Sequence, residues 1–337
     1  QVFAQFDNLT LNNCQNVNLN LSEANLQTLT VVNYVNPYQF VLNDSQMVIN
    51  NYTPTNQNFT FNLDNSRLTM SNFSINGGIS APLVDARNCS TVCLFGESTF
   101  TNNNHAIINF NTGSNLVLDN INLANNDVSL SENCLINGNN FGTVYLNNLN
   151  ISNNICLDII KLTNGGNMIV SNSQIFASNI NNGLNLSHVD GRIENCQIFD
   201  PLVGVNITNN SNIEIIGSFI SAYSTIGLKI DQSRFIINNL NINSVIGATS
   251  SGVVITNQSH GYISGLVGNC DNYGVELMSG SQFTNNAGFN SITGTIDDVL
   301  VGALGSRTWV VVNAGAAADT NDYTTPNPQY VVISPSS

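Results

Sequence analysis

The segment HVDGRIEN, residues 188–195, holds the densest group of side chains suited to acid–base chemistry. In a strand, Arg192 and Glu194 would share one face, whereas His188 and Asp190 would precede it. Acid–base catalysis needs two groups held at a defined distance, and a guanidinium beside a carboxylate is more often a surface ion pair. We interpret the segment as such an ion pair and assign no catalytic residue in the chain.

Metal-binding chemistry has little support in the sequence. The three histidines show no ligand spacing: His105, His188 and His260. Cys89 and Cys93 lie four positions apart without further zinc ligands, and the carboxylates of Asp319 and Asp322 are a weak basis for a calcium site. We predict no metal and no cofactor.

Of the seven cysteines, Cys14 and Cys196 are predicted core fillers. Cys134 and Cys156, one coil apart, would be either stacked thiols or a disulfide.

An eight-residue phrase recurs along the chain and would position these side chains. It begins at Leu9, Phe40, Leu68, Val92, Leu116, Val144, Met168, Gly191, Ile213, Phe235 and Gly261. The third place is always apolar, and the fifth is always Asn, Asp or Gly, the residues that best tolerate left-handed backbone. We interpret each octad as two short strands joined by a single left-handed residue. The side chains at places one, three, six and eight would point inward. Leucine-rich repeats, sandwiches and left-handed β-helices fit the pattern less well.

A second phrase follows each octad in the later repeats and starts at a glycine, as in GLNL from Gly183 and GVNI from Gly204. It supplies a third strand, and three strands in about 23 residues predict an all-β, right-handed parallel β-helix of about ten coils. The fifth-place asparagines are expected to hydrogen-bond from coil to coil. This expectation accounts for 63 asparagines beside two lysines.

The third strand also supplies the predicted ligand surface. Its outward positions form an amide-rich ribbon whose candidate glycan contacts are Asn185, Asn206, Lys229 and Glu276. A plain amide ladder without a ligand is the alternative interpretation. The same ribbon includes Asn109 and Asn137 earlier in the chain.

A self-association surface is predicted in the C-terminal half. Outward octad places are polar in the early coils and become large and apolar later, at Ile216, Phe219, Ile236, Tyr262 and Val267. Soluble monomers rarely expose such patches. We expect association, as a trimer, through these residues.

With strand, single left-handed Asn and strand in place, residues 9–277 resemble the right-handed β-helix superfamily of pectin-lyase-like enzymes and phage tailspikes. The Asn-rich composition resembles that of viral surface or fibre proteins. The resemblance implies that an enzyme here would carry paired carboxylates with GHG and RIK motifs, or a calcium cluster with a basic residue. The chain departs from both patterns: SHG at 259–261 is a partial match, no RIK follows, and Asp297 and Asp298 are adjacent and diverge in a strand.

We predict a parallel β-helix over residues 1–282, with an irregular first coil in 1–39, and a β-rich cap or oligomerisation segment over 283–337 that contains Trp309. A net charge of −14 argues against nucleic-acid binding, and no apolar run is long enough to span a membrane.

The predicted function is a non-enzymatic structural protein of an extracellular or virion surface: a fibre, spike or capsid-associated component that contacts glycans. The alternatives are a polysaccharide lyase or hydrolase of the tailspike type, or a secreted adhesin.

Overall fold

The computed structural model describes residues 2–12, 16–32, 38–54, 59–77, 82–129, 134–178, 180–245, 247, 249–285, 291–294, 297–301 and 323–324. The chain divides into two compact units, Gln1–Ile175 (unit 1) and Phe176–Ser337 (unit 2). All the regular secondary structure in the described residues is β-strand.

In unit 1 the strands are β1 (Val2–Asn12), β2 (Asn16–Asn20), β3 (Ser22–Val32), β4 (Tyr38–Asn43), β5 (Gln46–Pro54), β6 (Phe59–Asp64), β7 (Arg67–Ser71), β8 (Ser74–Asn76), β9 (Val84–Arg87), β10 (Thr91–Phe95), β11 (Ser98–Thr101), β12 (Ile108–Asn111), β13 (Asn115–Asp119), β14 (Ile121–Ala124), β15 (Cys134–Asn139), β16 (Thr143–Asn147), β17 (Asn150–Ser152), β18 (Asp158–Thr163) and β19 (Asn167–Ser171). Strand β20 (Gln174–Phe176) includes the division point. In unit 2 they are β21 (Asn182–Ser187), β22 (Asp190–Glu194), β23 (Gln197–Phe199), β24 (Val203–Thr208), β25 (Asn212–Ile216), β26 (Phe219–Tyr223), β27 (Ile226–Asp231), β28 (Arg234–Ser244), β29 (Ser251–Thr256), β30 (His260–Cys270), β31 (Tyr273–Leu277), β32 (Gln282–Asn285), β33 (Ser291–Gly294), β34 (Asp297–Val301) and β35 (Tyr323–Thr324).

In each unit the strands form two parallel sheets, which we call A and B. A typical coil gives two short strands to sheet A and one to sheet B, as β13, β14 and β15 do. Each strand pairs with the strand one coil later, so that β13 pairs with β16 and β15 with β18. The predicted all-β, right-handed parallel β-helix is confirmed, with about eleven turns.

The octad's inward places form the core because period-2 alternation puts them on one face of sheet A. In the coil that starts at Leu116, the side chains of Leu116, Leu118, Ile121 and Leu123 are all buried. Glycine replaces the first-place side chain at two coils. At Gly261 an added Cβ would lie 2.1 Å from the Phe235 carbonyl oxygen, so the close stacking of β28 and β30 requires glycine there.

The fifth octad place is left-handed in every octad whose fifth residue the structure describes. The φ angles at Asn72, Asn120, Asn148, Asn172, Asn195 and Asn239 lie between 50° and 60°, and Asp44, Gly96, Gly217 and Gly265 are also positive. The one-residue bend predicted from Asn, Asp and Gly is therefore confirmed. Asn13 lies outside the described residues.

Two of the predicted octads are wrongly placed. Leu9 is the register partner of Leu29, in a column that continues through Tyr52 to Phe73, so it occupies a sixth place. The error arises because β1 and β3 each run for eleven residues without a left-handed bend to mark their midpoint.

Phe40 lies on sheet B, where it pairs with Phe61, instead of opening a sheet-A strand. The left-handed Asp44 that follows belongs to the turn from sheet B to sheet A. Alternating apolar residues followed by Asn or Asp therefore precede two different turns of the coil. The sequence pattern does not show which of the two turns is present.

The coil has left-handed residues at all three turns. At the turn from sheet B to sheet A they include Asp44, Asn65, Asn88, Asn140 and Asn164 in unit 1, and His188, Asn209, Gln232 and Asn257 in unit 2. At the turn from sheet A to sheet B they include Asn102, Asn125, Asn153, Asp200 and Ala222. Sequence analysis identified one of these three columns.

A column of buried serines, not predicted, follows the turn from sheet B to sheet A: Ser45, Ser66, Ser90 and Ser114 in unit 1, and Ser211, Ser233, Ser259 and Ser281 in unit 2. Each hydroxyl accepts the backbone N–H of the preceding rung, as Ser66 Oγ does from Ser45 N at 3.0 Å. The same hydroxyl donates to its own turn, from Ser66 Oγ to the Asp64 carbonyl at 2.7 Å. The serines thus pair backbone groups that the turn would otherwise leave buried and unpaired.

Asparagine ladders occur in two forms. The predicted bond between two left-handed asparagines is present from Asn148 Nδ2 to Asn120 Oδ1 at 3.1 Å. More often the left-handed asparagine donates to the residue before the turn of the neighbouring coil, as Asn172 Nδ2 does to Asn147 Oδ1 at 2.8 Å. A third set, Asn103, Asn126 and Asn154, is fully buried and linked rung to rung.

The predicted division at residue 283 stays a prediction. Strands β33 and β34 extend pairing from β30 and β31 past that point. Trp309, Asp319 and Asp322 lie outside the described residues.

Candidate functional site

The four residues predicted to contact a glycan fall in one outward column of sheet B in unit 2. In register order the column runs Asn185, Asn206, Lys229, Val254, Glu276. The structure brings the first three together on successive rungs, and Val254 separates them from Glu276. Glycan contact by this column stays a prediction.

The side chains of this column differ in how they are used. Asn206 Nδ2 donates to Asn185 Oδ1 at 3.1 Å. Glu276 Oε1 accepts a short hydrogen bond from Ser251 Oγ. The Lys229 ammonium makes no ion pair or hydrogen bond with the described residues, which leaves it available to a ligand.

Unit 1 has a matching column, of which sequence analysis recognised part. Asn109 pairs with Asn137, and Asn137 pairs with Lys161. Lys161 was missed, although Asn109 and Asn137 were recognised in strands that also lack the opening glycine of the later repeats. Its rarity was the available signal, since it is one of two lysines in the chain.

The HVDGRIEN segment forms the predicted ion pair. Arg192 Nε lies 3.5 Å from Glu194 Oε2 and 3.7 Å from Glu214 Oε2 on the next coil. All three side chains are partly exposed, so solvent screens the attraction and the pair contributes little to stability. Asp190 lies at the start of β22, in register with Asn212.

The five predicted interface residues lie on the outer face of sheet A in unit 2, and they are not one unbroken column. Ile236 and Tyr262 are direct register partners. Phe219 and Val267 are each paired with Asn241, which lies between them. Ile216 pairs with Asn238.

This surface has aromatic neighbours that were not predicted. The Phe199 ring lies 5.7 Å from that of Phe219 and stacks on Phe176 at 4.7 Å. All three rings are half-buried. The phrase QIF at 174–176 and again at 197–199 was the available signal.

Unit 1 contains an open polar cleft of about 350 Å³ at the turn from sheet B to sheet A. The residues that line it include Glu23, Asp44, Gln46, Asn65 and Arg67. Asn65 Nδ2 donates to Asp44 Oδ1 at 2.6 Å. Two carboxylates and a guanidinium in one cleft could bind a small polar ligand.

The cysteines in the described residues are free thiols. Cys196 is buried, as predicted for a core filler, whereas Cys14 lies outside the described residues. Cys134 and Cys156 are buried thiols and not a disulfide. Burial raises the pKa of the Cys156 thiol, and the neighbouring Cys134 and Asp158 raise it further. The neutral thiol is a poor nucleophile, which makes Cys156 inert at neutral pH.

No group of three or more His, Cys, Asp or Glu side chains in the described ranges could hold a metal ion. Within the same ranges, no helix has the length and apolar character to cross a lipid bilayer.

No protein-family model and no curated protein matches the chain. Among solved structures, the crystal structure of pectate lyase Pel9A is similar, with a TM-score of 0.35 and 13% sequence identity, over 90% of this chain and 74% of that one. At this level of similarity nothing about substrate or mechanism transfers.

Proposed function

We propose that this β-helix is a non-enzymatic structural protein of an extracellular surface: a fibre, spike or capsid-associated component of a virion that contacts glycans. The observation that supports it is the use of the polar residues. Serine hydroxyls and asparagine amides are engaged in bonds between successive coils, from Ser45 through Ser114 in unit 1 and from Ser211 through Ser281 in unit 2. Much of the polar side-chain content thus stabilises the stack of coils, which is what a rigid structural protein requires.

A direct consequence is that the protein should not cleave polysaccharides. Incubation with a panel of acidic and neutral glycans should release neither reducing ends nor unsaturated products. The unit 1 cleft with Glu23, Asp44 and Arg67 is the observation that favours the competing lyase or hydrolase function. Activity that Lys229→Ala or Arg67→Ala abolishes would make the enzyme the better proposal.

The location is tested separately. Mass spectrometry of purified particles from the source should find the chain in a fixed ratio to the major coat protein, also after high-salt washing. Recovery only from the soluble secreted fraction would instead support the adhesin alternative.

A further inference from the structure

The two lysines of this chain occupy equivalent places in the fold. Both lie on the outward face of sheet B, in β18 and β27. Each is the third member of a column whose first two members are asparagines: Asn109–Asn137–Lys161 in unit 1 and Asn185–Asn206–Lys229 in unit 2. The same side-chain triplet is therefore built twice.

Neither lysine forms an ion pair or a hydrogen bond with the described residues. The ion pairs there are formed by Arg87 with Asp85 and by Arg192 with its two glutamates. Asp231 lies on the same face as Lys229, two residues along the strand, but accepts from Thr256 Oγ1 at 3.0 Å and Asn257 Nδ2 at 2.6 Å. In a chain with a net charge of −14, these two cations thus have no anionic partner among the residues that the structure describes.

Each triplet also contains a buried amide oxygen that accepts no hydrogen bond from the described residues: Asn109 Oδ1, in the first member of one, and Asn206 Oδ1, in the second member of the other. Because Asn206 donates its nitrogen toward Asn185, its oxygen lies on the far side of the amide. A lysine kept to cap the amide column would donate to that oxygen. Lys229 does not donate to it.

We propose that each Asn–Asn–Lys triplet binds an oxyanion, a sulfate ester, phosphate or carboxylate group, carried by a hydroxylated ligand. An ammonium offers three donors and a compact charge that suits such a group. The adjoining amides can exchange hydrogen bonds with ligand hydroxyls. The proposal deepens the glycan-contact part of the function proposed above by assigning the ligand's charge and a second site.

Two lysines make the test direct. Biosynthetic labelling with ε-¹³C-lysine leaves both ammonium groups chemically unchanged, with all three donors of each, and the spectra of Lys161→Gln and Lys229→Gln assign the two signals. Sodium sulfate, sodium phosphate and sodium glucuronate are then titrated at constant ionic strength against sodium chloride, with glucose as the neutral probe. Both signals should shift saturably with at least one oxyanion, with midpoints at least tenfold below any chloride response. The three salts distinguish the possible sources of the charge.

The matched controls separate the column from charge alone. Arg234→Gln removes an exposed cation from sheet A of the same unit and should change the Lys229 midpoint less than twofold. Asn206→Ala should weaken the Lys229 response at least threefold, whereas Asn212→Ala on sheet A should not.

The proposal is wrong if neither lysine saturates with any oxyanion, or if chloride shifts both equally. It is also wrong as stated if only one lysine responds, because the two triplets are then not equivalent. A chain that cleaves glycans, or that is missing from particles, would overturn the proposed function without altering these titrations.

Discussion

Replacing Asn126 with alanine should lower the free energy of unfolding by about 3–5 kcal/mol, because several buried groups lose their partners together. The side chain is 1% exposed. Its Oδ1 accepts from Asn103 N at 3.0 Å and Asn103 Nδ2 at 2.8 Å, and its Nδ2 donates to Asn154 Oδ1 at 2.9 Å. Alanine would leave these groups inside unit 1 without water to replace the lost bonds.

A graded series of asparagine substitutions provides the control. Asn148→Val should cost about 1–2 kcal/mol, since it strains a φ of 51° and removes one exposed bond. Asn150→Ala should change stability by less than about 0.5 kcal/mol, because that side chain is exposed and bonds no described residue. Urea unfolding followed by circular dichroism ranks the three. Equal effects of Asn126→Ala and Asn150→Ala would show that the buried ladder adds nothing.

The parts of the fold predicted correctly are those with a local signal. Left-handed backbone favours Asn, Asp and Gly, and these three residue types fill every fifth octad place, so Asn120 and Asn148 could be recognised without their neighbours. Burial on one face of a strand imposes period-2 alternation, so Leu116 and Leu118 could be assigned to the core directly. Both signals lie within eight residues of chain.

Features that depend on register were missed. A buried serine such as Ser66 is indistinguishable in sequence from a surface turn serine until the next coil is placed beside it. Coil length varies, from 28 residues between Asn126 and Asn154 to 21 between Ser45 and Ser66. No fixed period therefore locates the partners.

The candidate site shows the same limit. Lys229 could be assigned to an outward column from the recurrent phrase that contains it. Lys161 occupies the equivalent place in unit 1, and its pairing with Asn137 reveals it. The duplicated triplet can be recognised only from the register between coils, because no single strand contains more than one of its members.

The intact protein should be a trimer in solution, and Ile236→Asp should make it monomeric, with a threefold fall in the mass measured by light scattering. Ile236 and Val267 are 44% and 40% exposed, and Ile236 lies beside Tyr262 on the outer face of sheet A. Burying these side chains against symmetry mates would remove apolar surface from water. In a three-fold assembly the substitution would bring three carboxylates together, so repulsion adds to the lost burial.

Ile155→Asp is the matched control, since it introduces the same charge at an isoleucine that is 58% exposed in unit 1. It should leave the trimer intact. The competing explanation is that residues beyond 282 cover the apolar surface within one chain. A wild-type protein that is monomeric at micromolar concentration would favour that explanation. Ile236→Asp would then lower the stability of the monomer rather than change its mass, because the carboxylate would be buried against its own chain.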